Sequence, residues 1–74
     1  MDAGTNSYGV PDIVYDIVTT VGNLLQGEEK LREYAGDATA AGDDEAAQAF
    51  TTIADANRIG AQVLLRRLKA HLPD

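Results

Sequence analysis

The chain contains no cysteine. That removes disulfides and thiolate metal sites, and it fits a reducing compartment. There is a single histidine, His71, so neither a Ser/His/Asp nor a Cys/His set is available for nucleophilic catalysis. No glycine-rich phosphate loop follows a strand, because no segment reads as a strand. Hydrolase, kinase and dehydrogenase chemistries therefore lack their parts. No run of about 18 apolar residues is present to span a membrane. Residues 1–9 carry no basic group ahead of an apolar stretch, as a signal peptide would. A cytoplasmic location is the expectation. Basic residues are also scarce, six Lys and Arg against twelve Asp and Glu, for a net charge of −6. Nucleic acid and anionic membrane surfaces need a cationic footprint and are not expected partners.

What is present is helical period. Residues 1–9 are small and polar and read as a loose tail; residues 10–74 read as one helical hairpin domain. Pro11 suits the start of a helix, and Asp12 and Asp16 place negative charge at its positive end. At about 100° per residue, Ile13, Val14, Ile17, Val18, Val21, Leu24 and Leu25 fall within an arc of roughly 140°, which Leu31 and Ala35 continue. Gly27 offers a break at Gln26-Gly27, but the arc keeps its phase across it, which predicts one helix to about Ala38. Residues 39–44 form the connection, with Gly42 as terminator and Asp43 or Asp44 as N-cap. A second helix runs to about Leu72, stopped by Pro73. Its apolar arc is Ala46, Phe50, Ile53, Ala54, Ala61, Leu64, Leu65, Leu68 and Leu72. A short connection makes the helices antiparallel, bringing Asp12 and Asp16 towards Arg66, Arg67 and Lys69.

The fold class is thus all-α, a two-helix antiparallel hairpin. Both apolar faces are wider than one partner helix covers, and the leftover surface is large enough to mark an interaction site. A second copy is the simplest cover, giving a homodimeric four-helix bundle. Binding of another protein's helix is the alternative.

Two polar residues interrupt the apolar arcs. Glu28 projects from near the centre of the first, and Asn57 lies between Ile53 and Leu64 on the second. With the turn near residue 40 or 41, the register places Glu28 beside Ile53 and Asn57 beside Leu24. A buried carboxylate must be paired, protonated, metal-bound or wet. Arg32, four residues on, is placed for an i,i+4 pair with Glu28. One reading makes Glu28 and Asn57 a polar layer that sets register and oligomeric state. The other makes Glu28 a ligand for iron or manganese, doubled by dimer symmetry. One seam carboxylate per chain and no nearby histidine supply few ligands, so no bound cofactor is the first expectation. His71 sits beside the chain end and reads as a terminal residue rather than a ligand. Tyr34 lies off the main arc, six residues from Glu28, where it flanks the seam.

The stretch Leu24-Leu25-Gln26-Gly27-Glu28-Glu29-Lys30-Leu31, followed by Tyr34, resembles the first helix of a ferritin-like hairpin, which carries an inward glutamate amid leucines. Gly42-Asp43-Asp44-Glu45-Ala46, Phe50 and Asp55-Ala56-Asn57-Arg58 are similar to the loop and second helix of such hairpins. The resemblance spans about residues 12–72 and implies a four-helix bundle, with Glu28, or Glu29 if the phase slips, as the metal ligand. Where ferritin-like metal proteins carry Glu-x-x-His, this chain reads Asp55-Ala56-Asn57-Arg58. Arginine cannot ligate a metal, and what the departure implies is a salt-bridged core layer in place of the metal site. Ferroxidase or iron-storage activity is correspondingly not expected. The function expected is that of a small self-associating helical protein with a structural or protein-interaction role; the alternative is a ferritin-like metal-binding protein using Glu28 from two chains.

Overall fold

A computed structural model describes residues 11–72; the expected tail, with Tyr8, and Pro73 lie outside the described residues. Two helices, α1 (Asp12–Ala40) and α2 (Asp44–Ala70), pack along their full length. The molecule is a single layer, with principal extents of 53 × 22 × 15 Å. Gly27 does not break α1, which runs two residues further than the sequence pattern indicated, and α2 ends two residues earlier. Helix ends shift by a turn's fraction when the last hydrogen bonds are local.

The connection is set by Gly42 and Asp43. Gly42 takes φ +77°, the left-handed conformation that only glycine adopts without a steric penalty. Around it, Asp43 N donates to Ala38 O at 2.9 Å and Gly42 N to Thr39 O at 3.0 Å, so two of the orphan carbonyls at the end of α1 are satisfied. Asp43 then caps the next helix, its Oδ1 accepting from Ala46 N at 3.0 Å. Asp44 and Glu45 add acid to the first turn of α2, and Arg67 and Lys69 add base to its last. Both placements oppose the helix dipole favourably.

The seam has a heptad period. The two seam columns are, on α1, Val14, Ile17, Val21, Leu24, Glu28, Leu31, Ala35 and Ala38, and on α2, Ala47, Phe50, Ala54, Asn57, Ala61, Leu64 and Leu68, with Gly27, Ala46, Thr51 and Gly60 half-buried beside them. These are alternating three- and four-residue steps, the spacing that keeps one stripe on a partner helix. Ile17, Val21 and Ala61 are buried together, with Leu24, Leu64 and Leu68 against them. Towards the loop, Tyr34 meets Phe50 edge-on at 5.8 Å between ring centroids, so Tyr34 flanks the seam as its position indicated.

One feature of the expected arrangement is corrected. Ile53 and Leu65 remain about half exposed, at 49% and 48%, whereas Ala54 and Ala61 are buried at 0% and 1%. Small side chains at the contact let the helix backbones approach, and the larger neighbours are turned to the flanks. Ile53 therefore lies off the seam, and the side-chain partners of Glu28 are Arg32 and Arg58. At the helix ends, among the described residues no ion pair joins Asp12 or Asp16 to Arg66, Arg67 or Lys69. Asp16, Arg66 and Lys69 are exposed on the outer surface, where such pairs contribute little.

Gly27 has a packing role that its sequence context does not reveal. A Cβ there would lie 2.8 Å from Asn57 Nδ2, whereas one at Gly36 would meet nothing within 4 Å. Gly36→Ala is therefore expected to stabilise the protein by up to about 1 kcal/mol through helix propensity. Gly27→Ala gains the same propensity but displaces the Asn57 amide, with a net change near zero or unfavourable. Thermal unfolding of the two variants side by side checks the difference.

Candidate functional site

The seam reads as a hydrophobic zipper except at one layer near its midpoint. Glu28 is 8% exposed and is the one buried charged side chain among the described residues. Its placement follows from the heptad: it occupies the same column as Val14, Val21 and Ala35, seven residues from the last two. The helix offers no alternative to that burial without turning those apolar groups outward.

The carboxylate is held from both helices. Arg32, one turn on in α1, donates to Glu28 Oε2 through Nε at 3.0 Å and Nη2 at 2.7 Å. Arg58 of α2 brings its Nε to 3.4 Å from the same oxygen. Arg32 Nη2 also donates to Asp55 Oδ1 at 3.0 Å, crossing between the helices. The result is two carboxylates and two guanidiniums in one group, electrically balanced. Hydrogen bonding to Glu28, and secondarily to Asp55, holds the Arg32 pKa above the ordinary guanidinium value. The cluster is partly wet: the side chains of Arg32, Arg58 and Asp55 are 42%, 63% and 60% exposed.

Asn57 forms the other half of the polar layer. Its Nδ2 donates to Leu24 O at 3.2 Å, a side-chain bond to a backbone carbonyl already within α1. The pairing of Asn57 with Leu24 expected from the turn position is thereby observed, and it fixes the register of the two helices. Gly27 leaves the space into which the amide reaches.

Of the residues singled out by the sequence, Glu28, Asn57, Arg32 and Arg58 converge on this layer. Glu29 does not: it is exposed on the outer surface of α1. His71 is the exposed residue capping α2. Asp55 is exposed, yet it joins the cluster through Arg32. The register that sets Asn57 beside Leu24 places Asp55 level with Gln26, so it is the length of the Arg32 side chain that joins the two.

The donor set does not suit the iron or manganese that the ferritin-like resemblance implies. The position corresponding to a ligating histidine is Arg58, and its guanidinium occupies the carboxylate. Arg32 occupies the same oxygen. A divalent cation would have to displace two cations from Glu28, and among the described residues no group of three or more His, Cys, Asp or Glu side chains converges. A shallow cleft beside the loop, lined by Asp43, Glu45, Ala46 and Ala49, brings together neither a nucleophile nor a general base of unusual environment. No helix among the described residues is long and apolar enough to cross a membrane. No protein family, curated protein or solved structure matches this chain.

Proposed function

We propose that this is a small self-associating helical protein with a structural or protein-interaction role and no catalytic chemistry, working in the cytoplasm as a homodimeric four-helix bundle. The observation that carries this reading is the surface a lone hairpin leaves uncovered. Ten large apolar side chains are between 41% and 61% exposed, Val18, Leu25, Ile53, Ile59 and Leu65 among them. A single layer 15 Å thick has no second layer to bury these groups.

Within that reading the Glu28 layer specifies the pairing of helices. A polar group in an apolar seam lowers stability but penalises every register in which it loses its partner. Here Glu28 requires Arg32 and Arg58, and Asn57 requires the Leu24 carbonyl beside Gly27.

The test is the solution mass by light scattering across protein concentration, with iron and manganese measured on the same sample after loading and desalting. The expected result is a particle of twice 7.8 kDa without stoichiometric metal. A monomer at every concentration overturns the self-association; metal retained in the wild type and lost in Glu28→Ala would instead establish a ferritin-like metal site.

A further inference from the structure

The charge of the chain is sorted along its long axis. The bond from Asn57 to Leu24 sets the register, so Gln26, at the midpoint of α1, lies level with Asp55. At this level the cluster of Glu28, Asp55, Arg32 and Arg58 cancels its own charge. Towards the loop stand six further acids, Glu29, Glu33, Asp37, Asp43, Asp44 and Glu45, against Lys30 alone, and Lys30 is already paired with Glu33 at 3.5 Å. Towards the open end the described residues carry Arg66, Arg67 and Lys69 against Asp12 and Asp16. All three of these bases are exposed, and none enters an ion pair among the described residues. The sequence beyond the described residues adds Asp2 and Asp74, too few to make the open end as acidic as the loop.

We infer that two copies of the chain pair antiparallel, the loop of each beside the open end of the other. This rests on the self-association reading and supplies the orientation of the pair. Parallel and antiparallel pairing can cover the same exposed apolar side chains, so apolar burial does not choose between them; charge does. Packed helices lie about 8–10 Å apart, within the Debye length at physiological ionic strength. Parallel pairing sets one acidic loop end against another at that range. Antiparallel pairing over the full length brings Arg66 and Arg67 level with Asp37, Asp43 and Asp44 of the second copy. A two-fold axis makes that contact twice, against one kind of like-charge meeting, Asp16 level with Glu45. The two ends of a hairpin are about 40 Å apart, several Debye lengths, so each end responds to what lies beside it and not to the total charge of −6. Single surface pairs are weak, but like charges set opposite one another count against an arrangement, and the two orientations differ by little else. The chain thus supplies the counterpart of each of its own ends, whereas an anionic lipid surface would attract the open end and repel the loop.

Distances between nitroxide labels on single introduced cysteines test the orientation, and the cysteine-free chain allows it. Ala41→Cys places the label at the loop and Ala70→Cys at the open end, both at exposed sites about 15 residues from the midpoint in the register. At 1.5 Å per residue, antiparallel pairing is expected to give same-site distances of about 45 Å in both variants. An equal mixture of the two labelled variants should add a distance below about 25 Å, the breadth of two adjacent helices. A same-site distance below about 25 Å in either variant overturns the orientation and leaves self-association standing. A solution mass of one chain, with no coupling between labels, removes self-association and orientation together. Cosedimentation of such a monomer with vesicles of phosphatidylcholine and phosphatidylserine would give the basic end to a lipid surface instead. Circular dichroism verifies that each labelled variant keeps its helicity, and two sites at opposite ends keep the test standing if one label disturbs the fold.

Discussion

Glu28→Lys is expected to destabilise the hairpin by about 3 kcal/mol, the lower end of the range for breaking a buried ion pair. The substitution places an ammonium where Arg32 and Arg58 already converge, so three cations face one another and Asp55 alone remains to balance them. The lower end applies because both arginines are partly exposed and can turn towards water. A domain of this size is held by roughly 4–11 kcal/mol in total, so the loss is a large fraction. With a urea slope of about 1 kcal/mol/M, the unfolding midpoint should fall by about 3 M. Glu28→Leu is the informative partner. Leucine suits the seam and removes the need to desolvate a carboxylate, so its stability should lie within about 1 kcal/mol of the wild type or above it. If Glu28→Leu is as damaging as Glu28→Lys, the salt-bridged layer is a net stabiliser and its role is not chiefly that of register. If Glu28→Lys is harmless, the seam at this point is open to water and the geometry described above is wrong.

The second large effect lies in the apolar seam. Ile17→Ala should cost about 2–5 kcal/mol, because the side chain is 3% exposed and its removal leaves a cavity that two rigid helices close only in part. Ile53→Ala removes the same atoms from a site 49% exposed and should cost about 1 kcal/mol. Urea unfolding of both at one protein concentration checks the contrast, since a self-associating chain has a concentration-dependent stability. Equal losses would mean that Ile53 is buried in solution, covered by a partner.

These contrasts also mark where the sequence could be read and where it could not. The existence of two helices, their caps and their antiparallel order are written in local signals: the 3.6-residue period, Gly42 followed by Asp43, and a connection too short for any other path. The pairing of Asn57 with Leu24 follows from the same facts, because a hairpin with a short turn has little freedom of register. Arg32 beside Glu28 is likewise a local i,i+4 relation.

The phase of α2 was not legible in that way. An apolar arc as wide as this one admits more than one centre, and on hydrophobicity alone Ile53 and Leu65 compete with Ala54 and Ala61. The alanines win because contact distance, not side-chain apolarity, governs the fit of two helices. A small residue in the seam lets the facing isoleucine and valine of α1 seat against backbone. Gly27 illustrates the same point, since its use is to admit an amide from the other helix.

The sequence by itself therefore determined the elements, their order and the burial of a carboxylate at position 28. Only the tertiary structure decided that Arg58 and Asp55 gather around it with Arg32, and which apolar rows are left facing outward. The physical reason is that helix period and capping act within a turn or two, whereas ion-pair partners and covered columns are set by close packing between helices more than twenty residues apart in the chain.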